Sequence, residues 1–252
     1  MKNHVLFAAT AIALCSTNVI ADAIGVTVGT QAWQSHFSGS FGKLANQQNF
    51  NLDNKTQGSY FVAFEHPLPF LPNLRVSKTT LDTQGSALLA TNFEFDNTTF
   101  SGNTNVSSIY KQNFVDYTFY YEVFDNDLLS FDFGLTARHL KSNITVSGMV
   151  NNVLVSAQQT DSRYIPMLYV ATEIGIPGTN LFVFGNGNLL SIDRNSLYDY
   201  QAGMRYQIVD NLAVNVSATV GYRALNLKLV NVNSLYTDLS FHGVFAGLQV
   251  HF

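Results

Sequence analysis

The chain has 252 residues, of which 46% are hydrophobic and only 12% charged, about half the ~25% of a typical soluble domain. A formal net charge of −4 without any basic run excludes a nucleic-acid binder, whose footprint is clustered Lys and Arg. The single cysteine, Cys15, lies near the N-terminus, so the rest of the chain has no thiol for a disulfide, a redox couple or a cysteine-based metal site.

Lys2 and His4 precede an apolar run from Val5 to Cys15, followed by small residues ending at Ala21 and Ala23. This is the pattern of a cleaved secretory signal, with cleavage expected after Ala21 or, second, Ala23. The run is too short to span a bilayer as a helix, which takes about 20 residues. Leu14 stands before Cys15 where a lipoprotein leader wants a small residue. Residues 1–21 are therefore read as the leader and 22–252 as one mature domain.

Ile24 to Trp33 reads as a first strand, and the Ser-, Gly-, Asn- and Gln-rich stretch Phe37 to Gln57 as a loop. Ser59 to Glu65 is a strand that stops at a proline-rich turn, His66 to Asn73, because proline cannot donate to a ladder. Leu74 to Asp82 leads out, and Thr83 to Gln112 reads as a long polar connection holding a short extended piece at Asn92 to Phe95. Val115, Tyr117, Phe119, Tyr121 and Val123 then share one strand face, and Asp125 to Asp127 turns the chain. Leu129, Phe131, Phe133 and Leu135 begin a strand that continues less cleanly to Asn151-Asn152, and Val153 to about Ile176 is its partner. At about 3.3 Å per residue this pair outruns a ~25 Å apolar band, so the hairpin is expected to project beyond it. Pro166 fits its strand poorly and is read as a bulge.

Pro177 to Thr179 turns into Leu181 to Ile192, whose two faces are ambiguous, and Asp193 to Ser196 is a short loop. The cleanest pattern follows. Tyr198, Tyr200, Ala202, Met204, Tyr206 and Ile208 alternate with polar residues, and after Val209 to Asn211 so do Leu212, Val214, Val216, Ala218, Val220 and Tyr222. Each run is about twice the usual soluble strand and long enough to cross a bilayer at a tilt of about 45°. Leu225 to Leu235 connects to a last strand, Tyr236 to Phe252. With about ten strands, eight to twelve being compatible with the spacing, the expected fold is a transmembrane antiparallel up-and-down β-barrel. Tight and long connections alternate as they would with both termini in the periplasm.

Val244, Ala246, Leu248, Val250 and the terminal Phe252 occupy alternate positions, like the C-terminal signature read by the outer-membrane assembly machinery. Together with Gly25 to Gly29, Trp33, the turn Phe64 to Asn73, Tyr120 to Val123 and Asp132 to Arg138, this ending resembles a family of small proteobacterial outer-membrane β-barrel proteins of unassigned activity. The resemblance implies a barrel in the outer membrane of a Gram-negative bacterium. It implies contact with outer-membrane lipid and lipopolysaccharide, the barrel-assembly machinery and periplasmic chaperones, and it supplies no catalytic residues.

The polar strand faces place Glu65, Asp116, Glu122, Asp132, Arg138, Glu173, Asp199, Arg205 and Arg223 in the lumen. Glu65, Glu122, Asp132, Glu173 and Arg205 fall toward the tight turns, and the other four nearer the opposite end. Buried charges are costly unless paired, so the expectation is an ion-paired, mostly occluded lumen serving a structural or surface-interaction role. The rivals are a narrow pore or binder for a small or hydrophobic solute and a membrane hydrolase. For the latter, His36-Phe37-Ser38 and Ser240-Phe241-His242 put His and Ser two apart on one face, with Asp238 the nearest acid. They lack a third member, so no enzyme, cofactor or metal site is expected. Tyr198, Tyr206, Tyr222 and Phe252 read as an interfacial girdle.

Overall fold

A sheet in hydrocarbon must leave no edge, because unpaired N–H and C=O groups find no water there, and closure into a barrel removes the edge. The computed structural model describes residues 24–43, 46–126, 128–151, 153–211, 213–232 and 235–252. The leader expected at residues 1–21, both cleavage positions, and Asp127, Asn152 and Leu212 lie outside them.

The strands are β1 (Gly25–Lys43), β2 (Asn46–Gln48), β3 (Lys55–Glu65), β4 (Asn73–Leu88), β5 (Phe93–Phe95), β6 (Thr98–Phe100), β7 (Asn105–Asp125), β8 (Leu129–Val150), β9 (Val153–Gly175), β10 (Leu181–Ile192), β11 (Asn195–Asp210), β12 (Asn215–Val232) and β13 (Leu235–His251). Ten of these, β1, β3, β4 and β7 to β13, pair antiparallel in up-and-down order. β13 returns to β1, from Thr27↔His251 to Gly42↔Tyr236, and closes the barrel. β2 adds to the far end of β1, and β5 and β6 form a separate hairpin.

Several strands run further than their composition predicted. β1 continues through the expected loop to Lys43, β4 reaches Leu88, β7 starts at Asn105, and the connection after Leu225 is mostly strand. Cross-strand pairing, not intrinsic propensity, holds these polar segments extended. β8 and β9 stay paired up to Val150↔Val153, whereas β10 accompanies β9 only to Leu168. The hairpin thus rises beyond its β10 neighbour. Pro166 makes no bulge, since the β8–β9 register is continuous at Ala137↔Pro166. It lies two residues past the last β10 partner, so its missing N–H removes no bond on that side. The register shifts fall instead at Glu122/Phe124, Gln207/Val209 and Leu229/Val232.

The chief correction concerns which way the apolar residues face. At the end that carries the termini and tight turns they face outward, as alternation predicts. On β8 these are Leu129, Phe131, Phe133, Leu135 and Ala137, with Asp132, Thr136 and Arg138 inside. Beyond Arg138 the phase reverses: Leu140, Ile144 and Val146 are buried inside, while His139, Lys141 and Asn143 face out. β13 does the same, with Val244 and Leu248 outside at the terminal end and Leu239 and Phe241 inside at the other. So does β12, where Val220 and Tyr222 point out but Leu225 and Leu227 point in. One half of each wall is built for hydrocarbon and the other for water.

The reversal predicts a labelling pattern in lipid vesicles. Cysteines introduced at Leu135, Val220 and Leu248 should resist a membrane-impermeant maleimide. Those at Lys141, Lys228 and Asp238 should react readily; uniform reactivity along the strands would contradict the two-solvent wall.

Candidate functional site

The interior is organised by four charges at the height of the reversal. Asp116 on β7 and Arg138 on β8 are direct cross-strand partners. Arg138 donates from Nε and Nη2 to the two carboxylate oxygens of Asp116, each at 2.7 Å, and from Nη2 to Asp199 of β11 at 2.6 Å. Arg223 of β12 completes the group, donating from Nε and Nη2 to Asp199 at 2.9 Å. Two arginines and two aspartates sum to zero charge, and Arg138 is 0% exposed. Each guanidinium also lies over a ring, Arg138 3.9 Å from the centroid of Phe114 and Arg223 5.0 Å from that of Trp33. Charges this deep persist because each has an opposite partner and hydrogen bonds.

On the long-loop side of this cluster the bore is filled by apolar side chains. Trp33, Leu81, Tyr110, Phe114, Leu140, Leu197, Leu225 and Phe241 are buried there. Above them Phe41 of β1 meets Phe50 and Phe95, and Phe50 meets Phe93, the three rings being brought in by the connections after β2 and β4. Phe100 and Leu89 join the same core. The segments read from composition as polar loops thus supply the aromatic cap of the barrel. The signal was present in the sequence: Phe50, Phe93, Phe95 and Phe100 are large rings among polar residues.

On the terminal side the bore widens into a cavity of about 230 Å³. Glycines make room for its rings: a Cβ on Gly29 would stand 2.3 Å from Phe61, and one on Gly221 2.8 Å from Phe245. Arg205 donates to Glu173 from Nε at 2.9 Å and from Nη2, with its guanidinium 3.8 Å from the Phe182 centroid. Phe182 and Phe184 therefore face inward, which settles the ambiguous faces of β10. Arg75, a lumen charge absent from the sequence-based set, lies 3.7 Å from the Phe61 centroid. Asp132 lines the same cavity, Glu65 accepts from the Tyr120 hydroxyl at 2.7 Å, and Glu122 accepts from Asn73 at 3.1 Å. A smaller space of about 60 Å³ leads from here up to Asp116, Asp199 and Arg223.

The hydrolase candidates meet on the outside of the wall. His36 faces His242 across the β1–β13 ladder, Ser38 faces Ser240 and Ser40 faces Asp238. The two imidazoles stack at 5.9 Å. Yet His36 bonds the His242 carbonyl at 3.3 Å, and the Ser240 hydroxyl donates to Asn226 at 2.8 Å. No His–Ser hydrogen bond joins these residues. A His–Ser contact that the sequence did not reveal forms elsewhere, between His139 Nε2 and Ser162 Oγ at 3.1 Å, with His139 stacked on Tyr164 at 4.5 Å. Among the described residues neither histidine cluster bonds a carboxylate, and no group of three or more His, Cys, Asp or Glu could hold a metal ion. Tyr206, Tyr222 and Phe252 are outward and exposed, with Tyr198 half-buried on the same face.

Replacing Asp199 by Asn would leave two buried arginines short of a counter-charge. The expected cost is about 3–5 kcal/mol in denaturant unfolding of the folded barrel in detergent. The exposed Asp238→Asn control should change stability by less than about 0.5 kcal/mol.

No protein-family profile and no curated protein matches this chain in sequence. Among solved structures, the outer-membrane protease OmpT from Escherichia coli aligns over 92% of this chain and 98% of its own, with 10% identity and a TM-score of 0.52. Neisserial surface protein A aligns over 90% and 97% of the two chains at 12% identity and a TM-score of 0.29. The attachment invasion locus protein Ail of Yersinia pestis aligns over 91% and 99% at 12% identity and 0.32. The last two scores are too low to argue from, and the first speaks for fold alone. The chain has the fold of an outer-membrane β-barrel.

Proposed function

We propose that the chain is a non-conducting, non-enzymatic barrel of the Gram-negative outer membrane that works at the cell surface. In this reading the termini and tight turns are periplasmic, and the water-facing half of the wall stands outside the cell. The observation that carries it is the filled bore: a neutral ion cluster topped by Trp33, Phe114 and Phe241, then capped by Phe41, Phe50, Phe93 and Phe95. Apolar side chains stacked across the lumen among the described residues support a bore closed to hydrated ions. The outward apolar residues from Val244 to Phe252 match the about 9–11 tilted residues that cross a bilayer, which supports the placement. The outer half, with β8 and β9 as its tallest hairpin, then offers a rigid sheet surface to whatever the cell meets.

A blind binder for a small polar solute is the second reading, favoured by the cavity that Arg75, Asp132 and Arg205 line. The hydrolase alternative built on His36 or His242 gains no support, because their ring nitrogens and the nearby serines are not joined.

Purified protein reconstituted in planar bilayers should give no discrete current steps. Uniform steps that disappear in Arg223→Ala would replace this reading with a pore. Lipid-hydrolysis and peptide-cleavage assays should both stay at background, and turnover lost in His242→Ala would restore the hydrolase.

A further inference from the structure

The outward face of β4, β7 and β8 carries lysines that the fold does not pair, and they begin where the lipid-facing residues end. Strand register sets out the rows. Leu74, Phe119, Leu135 and Leu168 share one, and Val76, Tyr117, Ala137 and Pro166 the next. The following row is Lys78, Val115, His139 and Tyr164; above it come Thr80, Asn113, Lys141 and Ser162, then Asp82, Lys111, Asn143 and Thr160. Lys78, Lys111 and Lys141 are all exposed. Among the described residues none of the three forms an ion pair, while Asp82, the carboxylate in these rows, is already met by Lys55 at 3.6 Å. The opposite wall is balanced, one Lys228 to one Asp238 as ladder partners, whereas here Lys55, Lys78, Lys111 and Lys141 stand against the single Asp82, the ladder partner of Lys111. The positive excess belongs to one side of the barrel.

We propose that this face binds the phosphate-bearing headgroup of an outer-leaflet lipid. The inference rests on the membrane placement above and adds the chemistry of the lipid. Headgroup phosphates lie at the edge of the hydrocarbon, the height at which these rows change from Leu, Phe and Tyr to Lys. Lys78 stands one row above Val76 and Tyr117, where an apolar stem can lie along the wall with its ammonium in the headgroups. Lys111 and Lys141 stand on neighbouring strands with Asn113 and Asn143 between them, so cations alternate with amides. Ammonium groups meet phosphate as point charges, and the amides and the Ser162 hydroxyl suit a sugar that carries it. Tyr117 and Tyr164 flank the patch with amphipathic rings.

The test compares unfolding midpoints, read by heat-dependent gel mobility, of protein in phosphatidylcholine vesicles with and without phosphatidic acid, a phosphomonoester lipid. The midpoint of the native protein should rise with phosphatidic acid. K78Q/K111Q/K141Q should lose about half of that rise or more, the charge-preserving K78R/K111R/K141R should keep it, and K228Q on the opposite wall should also keep it. A full rise in the triple glutamine variant, or an equal loss in K228Q, overturns the proposal. So does the same rise from free inorganic phosphate over pure phosphatidylcholine, which would mark an ion site instead of a lipid site. Protein stripped from the vesicles by alkali would sink the membrane placement and this inference together. Retained protein indifferent to phosphatidic acid would sink this inference alone.

Discussion

The constraint on which the molecule depends is that every strand passes through two solvents. Where a wall faces hydrocarbon, apolar side chains must point out and the polar remainder must find partners inside. Where the same wall faces water, burial of apolar area drives the opposite arrangement, at about 25 cal/mol per Å² removed from water. Side chains alternate strictly along a strand, so the change is made by shifting the apolar residues from one parity to the other. β8 shifts between Ala137 and Leu140, β12 between Tyr222 and Leu225, and β13 between Val244 and Phe241.

The ion cluster sits at this seam because the seam is where neither solution works. Inward positions below it line a cavity of about 230 Å³ with many polar side chains, and those above it have a dry core. Asp116, Arg138, Asp199 and Arg223 join the two regions with a set of charges that cancels. Their hydrogen bonds tie β7, β8, β11 and β12 across the lumen, which the ladders alone cannot do. The cap continues the same logic, since rings from two connections fill a mouth that would otherwise let water reach the dry core.

The seam has an outer face as well. Inside it the charges of the four-residue cluster cancel; outside it, one wall is cationic and the other balanced. A barrel with a closed bore can still act through its surface, and its asymmetry there lies in side chains that make no ladder or core contact.

The amino-acid sequence determined the class of fold. Period-two runs of bilayer length, tight turns at His66 to Asn73 and Pro177 to Thr179, and the alternating ending to Phe252 depend on local spacing, and closure into a barrel follows from the need to hide sheet edges. The parity shift was also written in the chain, at Leu135-Thr136-Ala137-Arg138-His139-Leu140, but it reads as a loss of alternation unless the solvent is known to change. Asp116 and Arg138 lie in one hairpin, so their pairing is a matter of local register. Only the tertiary structure decided that Asp199 reaches Arg138 from three strands away, that Arg75 enters the lumen, and that Phe50, Phe93 and Phe95 descend from polar connections to seal it. Those contacts depend on barrel closure and on how far each connection folds back, and no local pattern encodes either.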